Sequence, residues 1–403
     1  MEDSMIKHVV ISDKGAEFLR KGQMWMYASN LETMDEGIEN GDPVEIVTNE
    51  GEYLGTGLVS LKSHILVRIL SRTRQTKIDQ NLFRERIEQA WNYRKVTERD
   101  NLDNCRIIFS EADLLPGFLA DRYNDIIVTQ ISSYGMEQRK GMLYDILLDV
   151  LRKDGQQISG IYERNDIRIR EKEGLPLYQG FWQNLKHAAE TVISENGLKL
   201  HVDFENGQKT GYFLDQKRNR LLIRQLSKGL RVMDCFTHTG GFALNAALGG
   251  ALSVEAVDVS DTALKQAQRN AEANHLENVS FVQADVFDYL ETCRAGDYDL
   301  IILDPPAFTK SRRTADHAYQ GYKKINLAAM NLLKENQGYL ATCSCSRYME
   351  SAMFEQMLKE AADEAGVYLK QISVSQQNSD HPILWMMDET SYLKFYLFRI
   401  VTM

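Results

Sequence analysis

The chain has 403 residues, of which 43% are hydrophobic and 26% charged, the balance of ordinary globular domains and enough chain for two or three separate cores. No run of 18 or more apolar residues occurs, which argues against a membrane span, and the N-terminus has no apolar segment of secretory length. The formal net charge of −10 weighs against nucleic acid as a partner, because phosphate contacts supply most of that affinity.

Residues 1–75 contain short apolar runs of period near two, KHVVIS, PVEIVT, YLGTGLVS and ILVRILS, punctuated by Gly41-Asp42 and Asn49-Glu50-Gly51. That pattern predicts a small β-rich module. Residues 76–188 mix periods. Asp79 to Thr97 and Glu137 to Arg152 read as helices, whereas RIIFSE, DIIVTQIS and GIYERND read as strands and turns, so this segment is α+β. From 189 to 403 strands and helices alternate. RVMDCF, VEAVDVS, VSFVQADVF, DLIILDPP and GYLATCSCS have buried-strand length, with helical patterns such as Thr262–Asn274 and Tyr322–Leu333 between them. Alternation of this kind predicts an α/β domain with a parallel, Rossmann-like sheet covered on both faces. YLKFYLFRI, near the end, is expected as an added edge strand.

Charge is uneven along the chain. From Lys62 to Asp100 there are ten Lys/Arg against five Asp/Glu, and from Thr309 to Lys324 five against one. Such patches can hold phosphates inside an acidic protein, or simply be solvated faces. Five cysteines, an odd number with no paired metal spacing, fit reduced thiols in the cytoplasm rather than a disulfide framework. The eight histidines do not cluster, so no metal is expected.

The turn Asp234-Cys-Phe-Thr-His-Thr-Gly-Gly-Phe242 follows a strand and opens a helix. Gly240 and Gly241 there allow a tight turn and close backbone approach to a ligand. The next strand ends in Asp258, 24 residues after Asp234, where a carboxylate can accept both hydroxyls of a ribose. Asp285-Val286 follows the third strand, placed to meet an adenine, although Asp285 alone also reads as a helix N-cap. Asp304-Pro305-Pro306 ends the fourth strand with an extended backbone that leaves its carboxylate pointing into the site. The fifth strand ends in Thr342-Cys-Ser-Cys-Ser346. Carbon-5 of cytosine is a poor nucleophile until a thiolate adds at carbon-6, and cysteine suits that task. Cys343 and Cys345 share a face at period two. Cys345, nearer the carboxyl end, is the favoured nucleophile, with Cys343 second; both are otherwise read as small buried apolar residues. Asp304, if protonated or hydrogen-bonded, can support N3 and the exocyclic amine of the base.

In the order D-x-F-x-x-T-G-G, VDVS, ADVF, LDPP the chain resembles a Class I methyltransferase. Over its whole length it resembles the bacterial large-subunit (23S) ribosomal RNA cytosine-C5 methyltransferases, through SEADLLPGFLADRYND (110–125), YERND (162–166), KTGYFLDQ (209–216), FTHTGGFA (236–243), DPPAF (304–308), GYKKINLAAMNLL (321–333), CSCS (343–346) and DHP (380–382). The resemblance implies an N-terminal PUA domain, a central α+β domain and a C-terminal methyltransferase domain. It implies S-adenosylmethionine (SAM) as cofactor, flanked by Gly240 and Gly241 at its methionine part, by Asp258 at the ribose and by Asp285 at the adenine. Asp234, Phe236, Thr239, Val259, Val286, Asp304 and Pro305 complete that set. KTGYFLDQ, with Lys209, Thr210, Phe213 and Asp215, is a lid-like stretch beside the cofactor in that family, and otherwise reads as a surface hairpin around Asn206-Gly207. The partner implied is ribosomal RNA, offered as a flipped or single-stranded cytosine, with Arg68, Arg72, Arg74, Arg312 and Arg313 as candidate phosphate contacts. A homodimer is also suggested by the resemblance. KGQMWMYASN (21–30) departs from the basic, proline-containing stretch of the family, and Ala307 stands where amino-group methyltransferases carry an aromatic residue. Two other readings are carried forward: a base-nitrogen RNA methyltransferase on the same fold, and a non-catalytic RNA-binding or ribosome-assembly protein.

Overall fold

In the computed structural model, residues 6–185, 187–309 and 312–403 are described; the side chains of Asn184 and Arg312 are not. Lys310 of the basic run and the Arg312 guanidinium therefore lie outside the described residues. Two compact units emerge, one formed by residues 1–191, 202–214 and 379–390, the other by 192–201, 215–378 and 391–403.

The first unit contains, among the described residues, a six-stranded and a five-stranded sheet. The six-stranded sheet uses Lys7–Ile11, Trp25–Tyr27, Leu31–Met34, Pro43–Val47, Tyr53–Val59 and Ile65–Ser71. It encloses Val9, Met26, Ile46, Val59 and Val67. A helix over Asp13–Arg20, capped by the Ser12 hydroxyl, was not expected in this β-rich stretch. The five-stranded sheet runs from Asn104–Phe109 to Tyr178–Phe181. Against it pack a helix over Gln80–Thr97, capped by Asp79, and another over Lys140–Lys153, through Phe83, Trp91, Leu143 and Leu147. The second helix begins later than the sequence pattern implies because Gln138 and Arg139 break it from a short turn of helix over Tyr134–Glu137.

The second unit carries the site. Its strands are β1 (Arg231–Cys235), β2 (Ser253–Asp258), β3 (Val279–Gln283), β4 (Leu300–Leu303), β5 (Tyr339–Ser344), β6 (Val367–Ser375) and β7 (Lys394–Thr402). Its helices are α1 (Lys217–Leu226), α2 (Gly241–Leu248), α3 (Asp261–Ala273), α4 (Val286–Thr292), α5 (Ala315–Leu333) and α6 (Ser351–Ala365). Among the described residues the sheet order is β3-β2-β1-β4-β5-β7-β6. The first five are mutually parallel, and β7 runs antiparallel to both neighbours.

The central strands are apolar on both faces because helices cover both. Val232, Ile302, Ala341 and Cys343 meet Phe242 and Ala246 of α2 on one side, while Ile301, Leu303 and Leu340 meet Ile325, Ala329 and Phe354 of α5 and α6 on the other. α2, GFALNAAL, is buried nearly all round, which accounts for its lack of a polar stripe. YLKFYLFRI corrects the sequence expectation: β7 is an interior strand between β5 and β6, and the edge is β6. Both faces of β7 are largely buried, as an interior position requires.

Candidate active site

Parallel order brings the carboxyl ends of β1, β2, β4 and β5 to one edge of the sheet, where open α/β sheets bind ligands. The loop after β1 is unusual. Phe236 and His238, neither a glycine, have φ of 62° and 53°, a left-handed conformation that costs energy and persists only where its surroundings hold it. What holds it is visible. Thr237 donates its backbone N–H to Val257 O at 3.0 Å, and the His238 N–H donates to Asp258 Oδ2 at 2.8 Å. Asp258 Oδ1 accepts from the Ser260 N–H at 2.9 Å. Gly240 has φ +86°, and a Cβ there would sit 3.1 Å from Ala267 Cβ, so both conformation and space select glycine.

Asp234, on β1, is buried. Its Oδ2 accepts from Thr237 Oγ1 at 2.6 Å and from the Ala243 N–H at 2.9 Å, tying strand, loop and the start of α2 together. Its Oδ1 is buried without a hydrogen-bond partner. Burial pushes the carboxyl up to about 7, aided by repulsion from Asp304 and Asp258 and opposed by the Thr237 and Ala243 hydrogen bonds. A buried carboxylate with an orphaned oxygen is suited to a cationic ligand group.

Asp285 caps α4, accepting from the Phe287 N–H at 2.8 Å, and its side chain is exposed. Val286 is buried, Val259 exposed, and Thr239 half-buried with its carbonyl accepting from Asn270 Nδ2 at 3.1 Å. Asp215, at the start of the longest segment of the second unit, accepts from Tyr392 OH at 2.6 Å. Lys209, Thr210 and Phe213 fall in the first unit. There Lys209 Nζ lies 4.3 Å from the Phe213 ring centroid, and buried Thr210 donates to Asp121 Oδ2 at 2.5 Å.

The two cysteines part company. β5 ends at Ser344, so Cys345 lies just past the strand rather than on the face of Cys343. Cys343 is fully buried, packed with Phe395 and Ala341. Burial and the neighbouring Asp304 carboxylate push its thiol well above the ordinary range, which suppresses the reactive thiolate. Cys345 is half-buried, with Sγ 3.9 Å from Pro305 O. The β4–β5 register, Leu303 opposite Thr342, sets Asp304 and Pro305 alongside Cys343 to Cys345. Asp304 and Pro305 are thus set beside the end of β5, with the buried Cys343 thiol against the Asp304 carboxylate and Cys345 Sγ facing the Pro305 carbonyl. Cys343→Ala is expected to cost about 1–2 kcal/mol of stability in a denaturant melt yet keep methyl transfer within a few-fold.

Sequence reasoning missed the groups that orient Asp304. Gln216 Nε2 donates to Asp304 Oδ1 at 3.0 Å, while Gln216 Oε1 accepts from Asn219 Nδ2 at 2.6 Å and Asn219 Oδ1 accepts from Ser375 Oγ at 2.5 Å. Each amide fixes the next, so Gln216 presents its NH₂ to the carboxylate. No periodic pattern marks such residues; the only hint was the polar density of residues 207–216. Tyr322, in α5, is fully buried and its OH accepts from Ser344 Oγ at 3.1 Å. Phe308 is packed against Tyr322 at 4.6 Å between centroids, and further against Phe287 and Phe236.

The chain matches the family described as S-adenosylmethionine-dependent methyltransferase over residues 181–399, and a PUA-like domain over residues 9–72. The ribosomal RNA large subunit methyltransferase I of Klebsiella pneumoniae is 35% identical over 406 residues, covering 100% of both chains. The protein of that name from Aliivibrio fischeri is 38% identical over 388 residues, covering 95% of this chain and 96% of its own. The chain belongs to the ribosomal RNA large subunit methyltransferase I family. Among solved structures, a candidate SAM-dependent methyltransferase from Streptococcus mutans matches with a TM-score of 0.80 at 21% identity, covering 98% of this chain and 100% of its own. A candidate methyltransferase complexed with SAH matches with 0.82 at 20%, with the same coverage; these two show the fold.

This methyltransferase uses SAM, and the site fits it. Asp234 offers a buried anionic oxygen to a ligand that carries a sulfonium and an ammonium, and Asp258 stands at the next strand end. Asp234 yields a prediction. A cation favours its ionised form, so binding is linked to loss of the Asp234 proton and weakens as pH falls through the free-protein value near 7. Between pH 7 and pH 6 the calorimetric Kd for SAM should rise about fivefold. Asp234→Asn should weaken binding and flatten that dependence; an unchanged slope would exclude Asp234 from the cofactor's charge.

The candidate phosphate contacts are not equivalent. Arg68 is a correction: only 5% exposed, it donates to Glu173 Oε1 at 2.8 Å and Ser60 Oγ at 3.2 Å, so its charge is already neutralised inside the protein. Arg72 is partly committed, donating to Gln23 O at 2.8 Å. Arg74 is half-exposed, paired with Glu45 at 2.8 Å and laid over the Tyr53 ring, and Arg313 is exposed. Among the described residues no helix is long and apolar enough to cross a membrane, and no cluster of His, Cys, Asp or Glu is set to hold a metal ion.

Proposed function

We propose that this protein transfers a methyl group from SAM to carbon-5 of a cytosine in 23S ribosomal RNA, through a covalent adduct of Cys345 with carbon-6 of the base. The single observation that carries the reading is a half-buried cysteine facing Pro305, next in sequence to an oriented carboxylate, at the carboxyl edge of β4 and β5. Relatives named for large-subunit ribosomal RNA support the substrate, and that substrate sets the reaction in the cytoplasm. Arg74 and Arg313 are the better-exposed candidates for phosphate contact, and we divide the chain near residues 75 and 188.

SAM, when bound, supplies an electrophilic methyl group on a sulfonium. The chain supplies the rest. Cys345, as thiolate, adds to carbon-6, and the electron pair displaced toward carbon-5 makes that carbon nucleophilic. Asp304, held by Gln216 and protonated in this step, donates to N3, accepts from the exocyclic amine, and so stabilises the negative charge that develops on the ring. After methylation a base removes the carbon-5 proton, and the carbon–sulfur bond breaks to return the thiolate. Base-nitrogen methylation needs no thiolate, and its usual aromatic partner after Asp-Pro-Pro is absent: residue 307 is alanine, and Phe308 packs against Tyr322.

Mass spectrometry of nucleosides from 23S ribosomal RNA of a strain lacking the gene tests this. The expected result is loss of one 5-methylcytidine, restored by the wild-type gene. Unchanged 5-methylcytidine with a missing methylguanosine or methyladenosine would overturn it.

A further inference from the structure

Lys394 opens β7 opposite Ser344 of β5, with its neighbour Phe395 opposite Cys343. Its side chain is buried; the residue is only 7% exposed. Nζ instead donates to the carbonyl of Ser346 at 2.7 Å and to that of Tyr392 at 2.9 Å. The lysine therefore starts beside residue 344 and is anchored at residue 346, passing the position of Cys345. Two of its three ammonium protons are used. Among the described residues it has no carboxylate ion-pair partner.

A buried ammonium without an anion is costly, and a cysteine nucleophile without a cation is mostly protonated near neutrality. The charged and titratable groups around this pair are Cys343 and Cys345 at the end of β5, Asp304 after β4, Tyr322 on α5 and Glu350 before α6. The Asp304 carboxylate, when ionised, opposes a thiolate. We propose that Lys394 is a positioning residue that supplies the cation for the Cys345 thiolate while fixing the Ser346 carbonyl that follows it. The inference rests on the reading of Cys345 as nucleophile. Lys394 itself is consistent with it: burial lowers its ammonium to about 8, and Cys345 pulls in the opposite direction.

The test reads the thiolate, not methyl transfer. Iodoacetamide alkylation of Cys345 is followed from pH 6 to 10, with the modified sulfur located by tandem mass spectrometry. In Lys394→Met the alkylation midpoint should rise by about one unit or more, with SAM affinity retained, whereas Lys394→Arg should stay near wild type. An unmoved midpoint in a Lys394→Met protein that still binds SAM overturns the proposal. The reciprocal measurement needs no change at Lys394. In Cys345→Ser the titration midpoint of Lys394, read by pH-dependent acetylation, should fall because its anion is gone; a value equal to wild type overturns the pairing as well. If Cys345 is not the nucleophile, Cys345→Ala keeps its methyl transfer while both midpoint shifts remain, so the two failures are distinct.

Discussion

A Cys345→Ala enzyme is expected to lose methyl transfer to ribosomal RNA by about a thousandfold or more, with SAM binding and thermal unfolding close to wild type. The size follows from the role proposed for the sulfur. Without addition at carbon-6, carbon-5 of cytosine stays a poor nucleophile, and an alanine side chain cannot make that addition. The change is tolerated because Cys345 is half-buried and beyond the end of β5, so the removed sulfur leaves no sealed cavity. Cys343→Ala is the informative partner. It removes a sulfur from the core, between Phe395 and Ala341, and should act on stability far more than on rate. Radiolabelled methyl transfer to RNA, with SAM affinity by calorimetry, measures both. If Cys345→Ala transfers methyl at the wild-type rate, the carbon-5 assignment falls.

Asp304→Asn should lower kcat by about 10²–10⁴-fold and change SAM affinity little. The substitution keeps shape and much of the hydrogen bonding to Gln216, but an amide cannot give a proton to N3 of the base. A second effect comes with it. Asp304 is one of the two carboxylates that push Asp234 up toward 7, so removing its charge lets Asp234 ionise at lower pH. The loss of SAM affinity on acidification should therefore begin at a lower pH in Asp304→Asn than in wild type. A variant with near-normal kcat would remove Asp304 from the chemistry, and a variant with low kcat but an unmoved pH profile would remove only its coupling to Asp234.

Much of this was legible in the residues. The parallel sheet announced itself through runs such as DLIILDPP, apolar on both faces because both are covered, and its strand ends carried Asp234, Asp258, Asp304 and the cysteines at spacings that chemistry explains. Strand order was not legible where it departed from chain order. β7 looks like any final strand, and only its pairing with β5 and β6 shows it to be interior. Cys343 and Cys345 were separable by position but not by environment, since the end of β5 at Ser344 breaks their shared face. The supporting groups Gln216, Asn219 and Lys394 lie just before α1, in its first turn and at a strand start, and the Asp304, Ser375 and Ser346 groups they bind are far away in sequence, so no period could expose them. Arg68 was misread in the other direction. An arginine inside ILVRILS, with apolar residues on both sides, has the pattern of a buried ion pair, and Glu173 supplies its anion.

The most direct measurement uses 23S ribosomal RNA transcribed with 5-fluorocytidine. Fluorine at carbon-5 cannot leave as a proton does, so a cysteine that has added to carbon-6 stays attached after methyl transfer. Incubated with SAM, the wild-type protein should form a denaturation-resistant adduct with the RNA, mapped by peptide mass spectrometry to Cys345 and absent from Cys345→Ala. An adduct mapped to another residue, or methyl transfer to unmodified RNA with no adduct on the fluorinated RNA, would contradict the account.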